Sequence, residues 1–224
     1  MDDYYSQELS AGRLKRCYDI APPRVQQYLK AELDHVIRKI HPGDSVLDLG
    51  CGYGRVLTPL ARVARIAIGI DTSFPSLLLG QETVRSASNC HLLRMNAVKL
   101  AFRDRVFDRV VCIQNGISAF HVSQRDLVWE SIRVTRPGGT ILFSTYSGKF
   151  WEDRLEWFTL QSREGLVGPI DWQKSGDGMI VCEDGFTATT VTPAQFFSLT
   201  AGLDVDTQIV EVDESSLFCE IIPR

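Results

Sequence analysis

Apolar runs of strand character alternate with runs of helical periodicity through the first two thirds of this chain, and few folds accommodate that alternation. The runs "SVLDLG", "RIAIGID", "CHLLRMNA", "FDRVVCIQNG" and "TILFSTYS" are short, apolar and bounded by turn residues. Between them "YGRVLTPLARV", "FPSLLLGQETVRSA" and "QRDLVWESIRVT" repeat apolar residues at helical spacing, with Pro59 weakening or kinking the first. Strands separated by helices predict an α/β doubly wound parallel sheet with helices on both faces. A further helix is predicted over 24–40. There Val25, Tyr28, Leu29, Leu33, Val36, Ile37 and Ile40 share a stripe between Pro22-Pro23 and His41-Pro42-Gly43.

The last third follows a different rule. "VDTQIVEVD" and "SLFCEIIP" are separated only by a short Glu-Ser turn, too short for a parallel crossover, so this pair is predicted antiparallel. Asp184-Gly185 between two β-type runs signals a hairpin, and "FWEDRLEWFTLQ" and "PAQFFSLTAG" read as helices. At 224 residues the chain reads as one domain. It divides into an N-terminal helical lid (1–40), a core (41–147), an insertion (148–192) at the sheet edge where open α/β sheets bind ligands, and a C-terminal helix with the antiparallel pair (193–224).

The core's chemistry is concentrated in "VLDLGCGYGR", Val46 to Arg55, where Gly50, Gly52 and Gly54 follow a strand directly. Glycines there permit unusual dihedrals and let a ligand touch bare backbone. The spacing G-x-G-x-G is one residue short of the dinucleotide fingerprint, and no Gly-Lys-Ser/Thr follows as a phosphate loop requires. Asp48 ends the strand; it is a poor neighbour for a pyrophosphate and a good one for a cationic amine. Asp71 ends the second strand, about 20 residues on, where an acid accepts from both hydroxyls of a ribose. These residues describe a ligand with an unphosphorylated ribose and an ammonium, and S-adenosylmethionine fits.

At these positions the chain resembles the class I S-adenosylmethionine-dependent methyltransferases. The matching stretches are "VLDLGCGYGR", "GIDTS", "RMNAVKLAF" with "FDRVVC", and "RPGGTILFSTYS", together spanning about residues 30–150. The resemblance implies a Rossmann-like sheet of about seven strands with the last antiparallel. It implies that Asp48 holds the methionine ammonium and that Gly50, Cys51, Gly52, Tyr53 and Gly54 carry backbone under the methionine and ribose. Asp71 takes the ribose and Thr72 lies under the adenine. Asn96 stands where the family usually has an acid facing the adenine amine; Ala97 offers its N–H to the ring edge, and Gln114 lies beside the methionine moiety. Outside the cofactor, Gly138-Gly139 read as a helix-to-strand turn and Cys51 as a small packed residue.

The acceptor side is expected to draw on Tyr4, Tyr5 and Tyr18, on "NGISAFH", on Tyr146, and on the hairpin insertion lying over the acceptor, with Trp151, Trp157 and Trp172 as lid aromatics. His121 and Tyr146 are the candidate catalytic residues, each with a plain packing alternative. The same lid aromatics could instead complete the core or a homodimer face. A net charge of −4 and the absence of an Asn/Asp-Pro-Pro-Tyr/Phe motif at "IQNG" argue against nucleic acid, leaving a small-molecule acceptor. The basic stretch from Arg13 to Lys39 reads as a solvated helix face. Six scattered cysteines without a C-x-x-C pair, no apolar run near membrane length and an acidic N-terminus predict a cytoplasmic protein with neither metal site nor membrane contact. The rival readings are a non-catalytic S-adenosylmethionine-binding regulatory protein and a protein methyltransferase.

Overall fold

The computed structural model describes Tyr4 and residues 8–224. Beyond Tyr4 the chain forms α1 (Ala11–Asp19), α2 (Pro23–Ile37), β1 (Ser45–Leu49), α3 (Leu57–Ala61), β2 (Ile66–Asp71), α4 (Phe74–Val84) and β3 (Cys90–Arg94). It continues through β4 (Phe107–Cys112), α5 (Gly116–Ala119), α6 (Gln124–Val134) and β5 (Thr135–Tyr146). A 3-10 turn, Gly148–Phe150, leads into α7 (Trp151–Arg163) and a hairpin of β6 (Ile180–Val181) and β7 (Thr187–Ala188). The chain closes with α8 (Pro193–Thr200), β8 (Val205–Val212) and β9 (Ser216–Pro223).

Among the described residues seven strands form one sheet in the order β3-β2-β1-β4-β5-β9-β8. Strands β1 to β5 are parallel, whereas β9 runs antiparallel to both β5 and β8. Successive strand residues face opposite sides of a sheet, so one strand serves two cores. Leu47 and Leu49 of β1 join Ile141 and Phe143 of β5 against α5, α6 and α8. Val46 and Leu142, one residue out of phase, join the core beneath α2 and α3. All five β1 residues are buried, the polar Ser45 and Asp48 along with Val46, Leu47 and Leu49, as in a central strand covered on both faces.

Two local expectations are corrected. The helix after the glycines is short, because residues 52–56 form turns and α3 begins only at Leu57. Positive φ at Gly50, Gly52 and Gly54 (72°, 54° and 79°) holds this stretch out of the helical region. Gly138-Gly139 is not a turn between helix and strand: α6 runs straight into β5, and the glycines lie within that strand. Pairing with β4 slips there, between Phe107↔Thr135 and Arg109↔Thr140, so the pair forms a bulge, with Gly138 at φ 73°.

The chain leaves central β1 outward to β2 and β3, then returns on the other side as β4. The carboxyl ends of β1 and β4 therefore diverge at a switch point, and the glycine loop sits there. In total, β1, β2, β3, β4 and β5 present Gly50, Asp71, Arg94, Ile113 and Tyr146 at one end of the sheet.

Candidate functional site

A cavity of about 470 Å³ opens over these strand ends. Gly50, Gly52, Asp71, Thr72, Asn96, Ala97, Gln114, His121 and Tyr146 all border it. A smaller recess of about 50 Å³ is bordered by Asp48, Cys51, Tyr53, Arg55 and Gln114, and shares Gly50 and Gly52 with the larger one. Gly54 borders neither; its α-carbon faces Val84 of α4, whose Cγ1 would stand 3.0 Å from an added Cβ.

The loop is fastened at both ends. The Gly50 and Cys51 N–H groups both donate to the Ile70 carbonyl at 2.9 Å. Gly52 N–H donates to Asp71 Oδ2 and Ser73 N–H to Asp71 Oδ1, each at 2.8 Å. Asp71 thus braces the loop as well as facing the cavity. A Cβ at Gly50 would lie 2.3 Å from the Phe120 ring, so only glycine admits that ring.

Buried polar atoms without protein partners gather at the recess: Asp48 Oδ2, Arg55 Nη2 and Gln114 Nε2. Burial and the nearby Asp71 charge raise the Asp48 carboxyl to about 7. Beneath Gln114, Glu32 accepts the Gln114 backbone N–H at 2.9 Å, and burial lifts its carboxyl to about 7 as well. The Tyr18 hydroxyl donates to Gln114 Oε1 at 2.9 Å, and the Arg55 guanidinium stacks 4.4 Å from the Tyr18 ring centroid. Among the adenine-side candidates, Asn96 Oδ1 accepts from its own Val98 N–H at 3.0 Å, leaving a second lone pair toward the cavity. His121 is exposed at the rim, and its backbone, like that of Gln114 and Asn115, is left-handed. Asn115 is held in that conformation from both sides: it donates to the Thr189 carbonyl and accepts from the Thr145 hydroxyl, each at 2.8 Å.

The far wall comes from α1 and α7. Leu14 and Tyr18 stand on the first, Trp157, Phe158 and Gln161 on the second. These helices share a hydrophobic cluster with the hairpin, in which Leu9 and Cys17 meet Phe158, Ile180, Cys182 and Phe186. Trp157 Nε1 donates to the Cys17 carbonyl at 2.8 Å, and Arg13 donates to the Gly165 and Leu166 carbonyls at 2.9 Å. The basic stretch is thus partly a set of fasteners. Arg16 pairs with Glu164 and Arg24 with Asp213. Three expectations are corrected here: Trp172 is 63% exposed, neither it nor Trp151 borders the cavity, and the hairpin backs α7 without lining the space. Tyr4 lies outside the cavity lining and donates to Asp184, while Tyr5 falls outside the described residues.

Arg55, Glu32 and Gln161 escaped the sequence reading, and Phe120 entered it only within the acceptor-side stretch "NGISAFH". Arg55 closes the glycine motif itself. Glu32 sits on the buried stripe of α2, four residues after Tyr28. Phe120 covers Gly50, and Gln161 is buried in the Trp-rich helix. An acid on an apolar stripe was the one signal available for Glu32.

A model of a methyltransferase domain matches residues 46–139. A malonyl-[acyl-carrier protein] O-methyltransferase of Marinomonas sp. is 34% identical over 128 residues, covering 56% of this chain and 47% of that protein. A ubiquinone/menaquinone biosynthesis C-methyltransferase of Blochmanniella floridana is 33% identical over 115 residues, covering 49% and 44%. The chain thus spans about half the length of these curated relatives. The crystal structure of the PH0226 protein of Pyrococcus horikoshii shares the fold at a TM-score of 0.67 and 19% identity, with all of both chains covered. Over residues 46–139 the chain is thus similar to a methyltransferase domain, and its fold is shared with the PH0226 protein.

Proposed function

We propose that this protein is a methyltransferase that takes its methyl group from S-adenosylmethionine and delivers it to a small-molecule acceptor. The observation carrying the reading is the set of buried, partnerless polar atoms in the recess beside the glycine loop. Asp48 Oδ2 suits an ammonium, and Arg55 Nη2 with Gln114 Nε2 suits a carboxylate, so together they complement the amino-acid end of the cofactor. Gly50 and Gly52 present bare backbone beside them, Cys51 and Tyr53 shape the recess, and Gly54 seats the loop on α4. Asp71 would take the ribose, and Thr72, Asn96 and Ala97 the adenine.

When bound, the cofactor supplies an electrophilic methyl on a sulfonium. The chain's own work is positioning and water exclusion, which can lower a barrier by roughly 7 to 11 kcal/mol. Residues 8–20 and α7 act as a cap, and the hairpin stiffens α7 from behind. His121, at the rim, is the candidate base for an acceptor that must lose a proton. Tyr146 orients the acceptor with its buried ring. No described helix is long and apolar enough to cross a membrane. All six cysteines are free and buried, which suits a reducing cytoplasmic setting.

The test is calorimetry with S-adenosylhomocysteine and NAD, followed by turnover. Adenosylhomocysteine is expected to bind at micromolar concentration and NAD not at all. Adenosylhomocysteine should then accumulate from S-adenosylmethionine when a metabolite extract is added. NAD binding without adenosylhomocysteine binding overturns the cofactor reading. Cofactor binding without turnover on any extract favours a regulatory protein.

A further inference from the structure

Gln161 is 3% exposed and borders the cavity, yet its side-chain amide has no hydrogen-bond partner among the described residues. The amide atoms are open to the cavity, so a molecule seated there can complete them. Its neighbours on the wall are Leu14, Tyr18, Tyr146, Trp157 and Phe158, and the Trp157 N–H is already committed to the Cys17 carbonyl. Gln161 is therefore a free amide donor and acceptor in a largely aromatic and aliphatic surface whose other polar groups are the Tyr18 and Tyr146 hydroxyls.

Charge narrows what can sit there. An anion would find no cationic side chain on this wall, and the buried carboxyls of Asp48 and Glu32 lie beyond it. A cation would be drawn to the tyrosine rings, but guanidinium groups already stand beside both. Arg55 is 4.4 Å from the Tyr18 centroid and Arg154 is 4.4 Å from the Tyr146 centroid. Arg154 is no anion receptor either, because it is buried and donates to the Gly178 and Ala188 carbonyls at 2.7 Å. A neutral molecule escapes both penalties.

We propose that the α1–α7 wall selects an uncharged, ring-sized apolar acceptor, and that Gln161 fixes its orientation through a reciprocal hydrogen bond with a neutral amide, carbonyl or hydroxyl. This rests on the reading that the glycine-loop side holds the cofactor. Such an acceptor differs from a carboxylate, a protonated amine or a phosphorylated metabolite, each of which this wall disfavours.

The probes are benzamide, benzoate and benzylamine, which share one ring and differ in charge. Each is titrated into the adenosylhomocysteine-loaded protein by saturation-transfer NMR, with adenosylhomocysteine affinity measured separately. Benzamide is expected to bind at least about ten-fold more tightly than either charged probe. Gln161→Leu should weaken benzamide about ten-fold while adenosylhomocysteine affinity stays within two-fold. Gln161→Glu, which keeps the size and adds a charge, should shift the preference to benzylamine, and it serves where the leucine variant fails to fold. Tighter binding of a charged probe to the natural protein, no benzamide binding, or benzamide binding indifferent to Gln161→Leu overturns the proposal. Failure of the natural protein to bind adenosylhomocysteine sinks the cofactor reading and this proposal with it, whereas adenosylhomocysteine binding with the wrong probe pattern sinks this proposal alone.

Discussion

The two walls of the cavity are built on different principles. The glycine-loop wall is backbone held by strand ends: Gly50 and Cys51 hang from the Ile70 carbonyl, and Gly52 from Asp71. The α1–α7 wall is side chain held by side chain, in a hydrophobic cluster separate from the two cores of the sheet. A backbone site suits a ligand that stays the same across many enzymes, because few side chains can change it. A side-chain site can be re-cut by substitution. Under the proposed function, the first wall takes the invariant half of the reaction and the second takes selectivity.

The comparison breaks most visibly at Arg154. Its guanidinium satisfies two buried carbonyls of the hairpin region, so Arg154→Ala should cost about 2 to 5 kcal/mol of stability. Hydrogen exchange should rise in the hairpin and α7 while residues 46–55 stay protected. Equal loosening of both walls would mean that they form one cooperative unit.

Asp48→Asn comes next. The variant should lose about 2 to 3 kcal/mol of adenosylhomocysteine affinity, read by calorimetry. Its stability should change in the opposite sense. Burial raises the Asp48 carboxyl from an ordinary value of 3.8 to about 7. The folded state therefore holds a proton that the unfolded chain has already released, and stability falls as pH climbs from about 4 to about 7. The asparagine variant should show a shallower fall and be the more stable protein at pH 8, measured by urea denaturation. Glu32, also raised to about 7, adds a slope of the same sign to both proteins. Adenosylhomocysteine affinity of the natural protein should rise with pH up to about 7, since the ammonium pairs with the ionised form. An identical pH profile in the variant would remove Asp48 from the recess chemistry.

Asp71→Ala should weaken adenosylhomocysteine by about 1.5 to 3 kcal/mol. It should also lower the melting temperature, because Gly52 and Ser73 lose their acceptors. An unchanged dissociation constant with a lowered melting temperature would make Asp71 a brace alone. The smallest effect is expected from Tyr18→Phe. The hydroxyl donating to Gln114 is one of the points where the two walls touch, and its loss should cost about 1 kcal/mol of cofactor affinity. A larger loss than Asp71→Ala would place the cofactor against the cap.

The first wall was legible in the sequence and the second largely was not. Each core element announces itself within a dozen residues, by apolar run, helical spacing or glycine spacing, and the burial of Val46, Leu47 and Leu49 in β1 follows from that local pattern. The wall formed by α1 and α7 depends on contacts between segments far apart. Trp157 and Cys17 are 140 positions apart, and Arg13 and Leu166 are 153 apart. No periodicity records such a pairing, so Trp172 looked as suitable a lid residue as Trp157. Arg55 was overlooked because a charge in a loop ordinarily faces solvent. Here Tyr18 covers it, and Tyr18 arrives from another part of the chain.

The division between the walls is tested most directly by hydrogen exchange with and without saturating adenosylhomocysteine. Protection is expected at residues 50–55, at 71–73 and at 96–98, with residues 164–190 little changed. Protection concentrated in residues 164–190, or none at the glycine loop, would contradict the assignment of the cofactor to the backbone wall.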